Sequence, residues 1–452
     1  MSQSNPATSI QKLQTLNDAL ESGEFKQVAR ILNKGLSPVD VAHLLESSPP
    51  KARKLLWKLI DKDLIGDILP YLNDDLRADF LRHLDIQEVV DLTEDFDTDD
   101  LADTLQQLPE SVIQELLSSM DSQDRERVEE VLSYPEDTAG GLMNTDTVTV
   151  RPDLSIEVVL RYLRRHKSIP DMTDNLIVVN RKDEYIGTLP LTKMLACQTS
   201  TTVREIMNTD AIVIPVSMKE NEVANVFERR DLVSAPVIDP SGQLLGRITI
   251  DDVVDVIREN AEHSLMSMAG LDEDDDMFSP ILITSKRRAI WLGVNLITAF
   301  VASSVIGMFQ VTIDKVVALA VLMPIVASMG GVAGTQTLTL VIRGMAQGNI
   351  GKNNLTWLLN REFFVGVLNG LLWALIVAGA AILWFKSLLL GAIIAAAMVI
   401  DLLVAAIAGT LLPILLRSIK IDPALAGGVI LTTFTDVAGF LSFLGLASIF
   451  YN

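Results

Sequence analysis

Asp436 is the one ionisable residue between Ala426 and Phe450, an apolar stretch long enough to cross a bilayer core of roughly 30 Å. A carboxylate at that depth costs several kcal/mol in lipid, so it must face protein, water or an ion. Thr432, Thr433 and Thr435 place hydroxyl oxygens beside it, and Gly439 lets backbone approach one turn later. Oxygen donors around a carboxylate suit a hard, hydrated cation. Two further acids approach the membrane. Asp401 lies among Val399, Ile400, Leu402 and Leu403 with no basic neighbour in sequence, where it either meets an ion or makes a helix–helix hydrogen bond in its protonated form. Glu362 follows Arg361, a spacing that equally fits a simple ion pair at the interface.

These acids sit on elements that composition divides sharply. Residues 1–285 carry 53 of 58 acidic and 27 of 37 basic residues, a net of −26; residues 286–452 carry 5 and 10, a net of +5, giving the overall −21. The first part is a strongly acidic soluble region, which excludes nucleic acid as a partner and favours cations. The second holds five apolar stretches, at about 289–311, 316–342, 360–384, 388–416 and 426–450, the second and fourth interrupted by Pro324 and Pro413. Lys286, Arg287, Arg288, Arg343, Lys352, Arg361, Arg417 and Lys420 flank one side of these spans, and Lys315 and Lys386 the other. By the positive-inside rule the acidic half lies in the cytoplasm and the C-terminus outside. The polar N-terminus lacks a signal-peptide core, so the later spans direct insertion. Cys197 is the single cysteine, which excludes a disulfide framework and a thiolate metal site. His43, His83, His166 and His263 have no ligand spacing and read as surface or structural residues.

In the second span, Ser328-Met-Gly-Gly-Val-Ala-Gly-Thr-Gln336 lacks the Gly-Lys-Ser/Thr of a phosphate loop. Its small residues suit close helix packing first and a polar cavity lining second, with Thr335 and Gln336 favouring the latter.

Within residues 40–133 two apolar rows recur every twelve residues: Ile60, Leu72, Leu84, Phe96, Leu108, Met120, Leu132, and Leu56, Ile68, Phe80, Leu92, Thr104, Leu116, Val128, with Thr104 the polar exception. Twelve residues make one short helix and a turn, too little to bury its own stripe; stacked units can, which predicts an α-solenoid. From Leu142 to Ile257 the pattern changes to two halves offset by about sixty residues, each reading β-α-β-β-α and closing on Gly187-Thr-Leu or Gly246-Arg-Ile. This resembles a tandem pair of CBS domains, a family that pairs into a disc and often binds an adenine nucleotide. Asp251 and Asp252 stand where the motif's acid meets a ribose, though capping the next helix explains them equally well. Asp252 to Met277 then reads as one connecting helix bearing Asp255, Glu259 and Glu262 and ending in the acidic run Asp272–Asp276, which is either merely solvated or set near a pore mouth.

Together these parts resemble the MgtE family of magnesium channels and transporters over nearly the whole chain. The resemblance rests on Tyr134-Pro-Glu-Asp-Thr-Ala-Gly-Gly-Leu-Met143, Gly330-Gly-Val-Ala-Gly-Thr-Gln336, Val341-Ile-Arg-Gly344, Asp422-Pro-Ala-Leu425 and Thr432-Thr-Phe-Thr-Asp-Val-Ala-Gly439. It implies a cytoplasmic α-solenoid (1–133), an α/β tandem CBS pair (134–200 and 201–258), a connecting or plug helix region (259–285) and a five-helix transmembrane domain (286–452). The family's pore acid falls on Asp436, and its cytoplasmic Mg²⁺-sensing acids on Asp99 and Asp103 and on Asp252 and Asp255, with Glu259 one turn further. A homodimer in the plasma or inner membrane, Mg²⁺ as cargo and regulator, and ATP in the CBS cleft are also implied. Two departures lie near the pore: Val332 where the family commonly has Asn, and Gly427-Gly-Val429 where it favours Ser-Gly-Pro. A carrier of Co²⁺ or Mn²⁺, a cation carrier coupled to protonation of Asp401, and a non-conducting membrane-tethered nucleotide sensor are the alternatives. No nucleophile–base pair suggests an enzyme.

Overall fold

The computed structural model describes residues 24–82, 110–120, 122–165, 172–271, 281–348 and 354–451, with scattered positions between them. Two compact units result, residues 1–259 and 260–452.

The first unit opens with short helices: α1 (Phe25–Gly35), α2 (Pro38–Glu46), α3 (Pro50–Leu59), α4 (Lys62–Ile68), α5 (Asp74–Leu81), α6 (Glu110–Ser119) and α7 (Ser122–Leu132). Local chemistry sets their starts. Pro38 and Pro50 occupy first-turn positions that need no N–H donor, Ser37 and Asp40 form a reciprocal capping box, and the Asn73 side chain accepts from the Leu76 N–H. Both twelve-residue rows face one core. Leu56, Ile60, Ile68, Leu72, Phe80, Leu108, Leu116 and Val128 are buried in it, while Leu84, Leu92, Phe96, Met120 and Leu132 pack against it. Thr104, the polar exception, is buried too. Trp57 and Phe80 stack with ring centroids 3.8 Å apart.

The junction motif leads into the second CBS half: the Ala139 N–H donates to the Met218 carbonyl (2.8 Å) and the Gly140 N–H to that of Val216 (3.0 Å). A Cβ on Gly140 would fall 2.5 Å from the Tyr134 ring, which accounts for the glycine. Burial, then the Glu130 and Asp239 carboxylates, raise the Tyr134 phenol above its ordinary pKa.

Each CBS half is the expected β-α-β-β-α unit. The first comprises β1 (Thr149–Val150), α8 (Ile156–Leu163), β2 (Asn175–Val179), β3 (Tyr185–Pro190) and α9 (Leu191–Ala196). After α10 (Val203–Ile206), the second comprises β4 (Ile214–Pro215), α11 (Glu220–Arg230), β5 (Ser234–Ile238), β6 (Leu244–Thr249) and α12 (Ile250–Met268). In both, the first strand pairs parallel to the second and the second antiparallel to the third. The halves exchange edges reciprocally, Asn144 bridging Arg247 and Asn208 bridging Thr188. The two motif glycines make this possible: a Cβ on Gly246 would lie 2.6 Å from the Asn144 carbonyl oxygen, and one on Gly187 2.5 Å from that of Asn208.

One expectation fails here. The connecting helix does not run unbroken to Met277: α12 ends at Met268, and the chain turns at Gly270 with φ +71°. Glycine supplies a left-handed conformation that would strain other residues and stops the helix. The acidic run Asp272–Asp276 lies outside the described residues.

The second unit contains α13 (Ile281–Met308), the short α14 (Gln310–Lys315), α15 (Ala318–Ala346), α16 (Leu355–Phe385), α17 (Leu388–Ser418) and α18 (Pro423–Tyr451). Five of these helices are long and apolar enough to cross a membrane. The first begins eight residues before the expected 289, so Lys286, Arg287 and Arg288 are helical. Pro324 and Pro413 do not interrupt α15 and α17, which continue through them. Transmembrane helices tolerate proline where neighbours re-satisfy the freed backbone groups. The central element is α17, packed on α15, α16 and α18. Small residues carry its contacts: a Cβ on Gly409 would lie 2.8 Å from the Gly334 carbonyl oxygen, and one on Gly366 3.1 Å from the Ala406 Cβ.

Candidate pore and cation-sensing sites

Asp436 lies near the middle of α18, partly exposed, and makes no ion pair among the described residues. At 100° per residue, Thr432, Asp436 and Gly439 share one face, Thr433 lies about 60° from Asp436, and Thr435 about 100° away. The hydroxyls donate to their own helix: Thr432 to the Gly428 carbonyl (3.0 Å), Thr433 to that of Val429 (2.7 Å), Thr435 to that of Thr432 (3.0 Å). Donation fixes the rotamer and leaves oxygen lone pairs as acceptors for water or a cation. Thr432 and Thr433 are partly exposed with Asp436, whereas Thr435 and Gly439 are buried. Gly439 is a packing glycine: its added Cβ would stand 3.1 Å from both Asp401 Oδ1 and Val326 Cγ1.

Asp401 is wholly buried, and among the described residues neither of its carboxylate oxygens has a partner at hydrogen-bond geometry. It points between Gly330 of α15 and Gly439 of α18, and a Cβ on Gly330 would lie 2.3 Å from Oδ2. The sequence signal for this cradle, Gly330 in the glycine-rich stretch, is legible only once the three helices are in register. Glu362 is paired instead: Arg361 Nη1 donates to its Oε1 (2.6 Å) and the Thr337 hydroxyl to its Oε2 (3.4 Å).

The glycine-rich run is continuous helix. Thr335 and Gln336 are exposed, with the Thr335 hydroxyl donating to the Gly331 carbonyl (2.9 Å). Of the two departures, Val332 is exposed on α15, while Gly427 packs on Leu338, 3.2 Å from its added Cβ. The Asp422 carboxylate caps α18 by accepting from the Ala424 and Leu425 N–H groups (3.0 and 3.3 Å), and His263 Nε2 lies 3.2 Å from its Oδ2.

Of the cytoplasmic acids, Asp252, Asp255 and Glu259 lie on α12 at spacings that share a helix face. The Thr249 hydroxyl donates to both Asp251 and Asp252, and the Thr249 N–H donates to Asp252 Oδ2 (3.1 Å). Helix capping thus accounts for much of that pair. Asp255 faces Arg258 Nη2 at 3.3 Å. Asp99 and Asp103 lie outside the described residues. Among the described residues no group of three or more His, Cys, Asp or Glu is gathered to hold a metal.

Residues 36–137 match the MgtE intracellular N domain, residues 139–198 and 203–259 the CBS domain, and residues 323–446 the MgtE divalent cation transporter family. The magnesium transporter MgtE of Thermus thermophilus is 30% identical over 439 residues, covering 96% of this chain and 97% of its own. The chain belongs to the MgtE family of divalent cation transporters. The Bacillus subtilis magnesium transporter MgtE is 28% identical over 433 residues, 96% of each chain. The cytosolic domain of the Mg²⁺ channel MgtE in complex with ATP is 31% identical, with a TM-score of 0.49 over 53% of this chain and 98% of that one. The N-domain, CBS and transporter matches thus fall in one chain as parts of a single family architecture.

Proposed function

We propose that this chain is a Mg²⁺-selective channel or transporter, closed by Mg²⁺ binding to its acidic cytoplasmic half, with Asp436 as the pore carboxylate. The observation that carries this reading is Asp436 itself: a partly exposed carboxylate with no ion-pair partner among the described residues, midway along a membrane-length helix. Full-length similarity to two magnesium transporters supports the choice of cargo. Mg²⁺ dehydrates reluctantly, so the Asp436 carboxylate and the Thr432 and Thr433 oxygens act on its water shell rather than strip it. In a homodimer with the pore on the two-fold axis, Asp436 occurs twice around one path.

Gating follows from charge. A net of −26 per cytoplasmic half, −52 per dimer, is self-repelling. Asp252, Asp255 and Glu259 supply hard oxygen donors on one face, and the gate requires facing carboxylates, of which Asp99 and Asp103 are the candidates. A cation that binds the closed arrangement better shifts the population toward it. ATP is the nucleotide the CBS pair would take, with the Asp251 carboxylate, which accepts from the Thr249 hydroxyl, as the candidate acceptor for its ribose hydroxyls. The acidic half lies in the cytoplasm of a cell whose plasma or inner membrane holds the five spans, and the C-terminus lies outside.

The test is Mg²⁺ flux into liposomes containing the purified protein, wild type beside Asp436→Ala. Flux should fall at least about tenfold in the variant, the loss of one charge-assisted interaction in a low-dielectric path. Undiminished flux in Asp436→Ala overturns the pore assignment. Flux of Co²⁺ or Mn²⁺ without Mg²⁺ reassigns the cargo.

A further inference from the structure

A pocket of ≈ 330 Å³ opens between α15 and α16, at the end of the two helices joined by residues 347–354. Its walls are apolar, with Leu340, Val341, Ile350 and Leu358 among them, while Arg343 and Arg361 supply the cations and Trp357 the aromatic ring. The two arginines differ. Arg361 is committed to Glu362 through Nη1 at 2.6 Å. Arg343 is exposed and has no ion-pair partner among the described residues, so the pocket carries an uncompensated positive charge.

We propose that this pocket binds the phosphate of an anionic phospholipid, with Arg343 as the principal cation. A guanidinium offers a planar fork matched to phosphate oxygens, and basic pockets between transmembrane helices are recurrent sites for anionic headgroups. The apolar walls suit the start of an acyl chain, which free phosphate lacks. Trp357, two-thirds exposed, has the amphipathic ring that collects at headgroup depth. The pocket also lies at the end of the spans whose flanks hold eight of the ten basic residues, Arg343 and Arg361 among them. There an anionic leaflet concentrates its lipids around positive charge.

The experiment is lipid titration of the full-length protein in detergent, read by native mass spectrometry and thermal unfolding, with phosphatidylglycerol, phosphatidylcholine and inorganic phosphate as separate probes. Phosphatidylglycerol should be retained and raise Tm, with little effect of the other two. Arg343→Gln should weaken retention about tenfold, the loss of a hydrogen-bonded charge contact, and Arg343→Lys should fall between. Equal retention of phosphatidylglycerol by wild type and Arg343→Gln overturns the proposal. So does equal stabilisation of wild type by phosphatidylcholine, which marks general lipid solvation, or by phosphate alone, which marks a soluble-anion site. These last two arms need no variant to fold.

Discussion

At the scale of single residues, the two mid-membrane aspartates are held by opposite means. Asp436 keeps a partly exposed carboxylate among hydroxyls that have already turned their protons inward. Asp401 is sealed, its oxygens set against glycines of two other helices. An isolated charge in such a place is expensive, and an intramembrane acid is by default tied to function. The packing is also specific enough to test. Gly330→Ala should destabilise the protein by about 1–3 kcal/mol, because the carboxylate it strikes is buried and must shift within packed helices. Adding Asp401→Ala should return part of that loss, giving a coupling of at least about 0.5 kcal/mol in a double-mutant cycle read by thermal unfolding. Strict additivity would show that the carboxylate moves aside freely.

At the scale of elements, glycine does two jobs that spacing alone does not separate. In the CBS pair, Gly187 and Gly246 admit a carbonyl from the opposite half, so neither obstacle can rotate away. On α18, an added Cβ at Gly428 meets nothing within 4 Å. Gly246→Ala should therefore lower stability by about 1–3 kcal/mol, whereas Gly428→Ala should be neutral or stabilise by up to about 1 kcal/mol through helix propensity. Thermal unfolding of the full-length variants checks both, and the same sign for the two substitutions would refute the steric account. The helices passing through Pro324 and Pro413 make a related point: proline ends helices where water competes for the backbone, and in lipid that competition is absent.

At the scale of the whole molecule, charge is distributed so that one half wants cations and the other crosses lipid. A region of net −26 is self-repelling, and the proposed gate has divalent ions bridge its facing carboxylates. Limited proteolysis of the full-length protein should slow as millimolar Mg²⁺ is added, and Ca²⁺ or Na⁺ at matched ionic strength should protect less. Identical digestion with and without Mg²⁺ would count against a cation-closed gate. Screening alone would make all salts equivalent at matched ionic strength, so the contrast among ions separates site binding from general electrostatics.

Periodicity, which is local, was enough to determine the architecture. The twelve-residue rows found one core, the two β-α-β-β-α halves folded with the same strand pairing, and apolar length alone marked five membrane helices. Asp436 stood out for the same reason, as one charge in an apolar run. What only tertiary structure decided concerns partners far apart in sequence. It set Gly330 and Gly439 against Asp401, brought the Thr337 hydroxyl to Glu362, and left Arg343 exposed in the lining of a pocket. A helix's own pattern states which face is apolar, but the register against its neighbours arises from side-chain packing between helices. That register decides whether a carboxylate is paired, sealed or free.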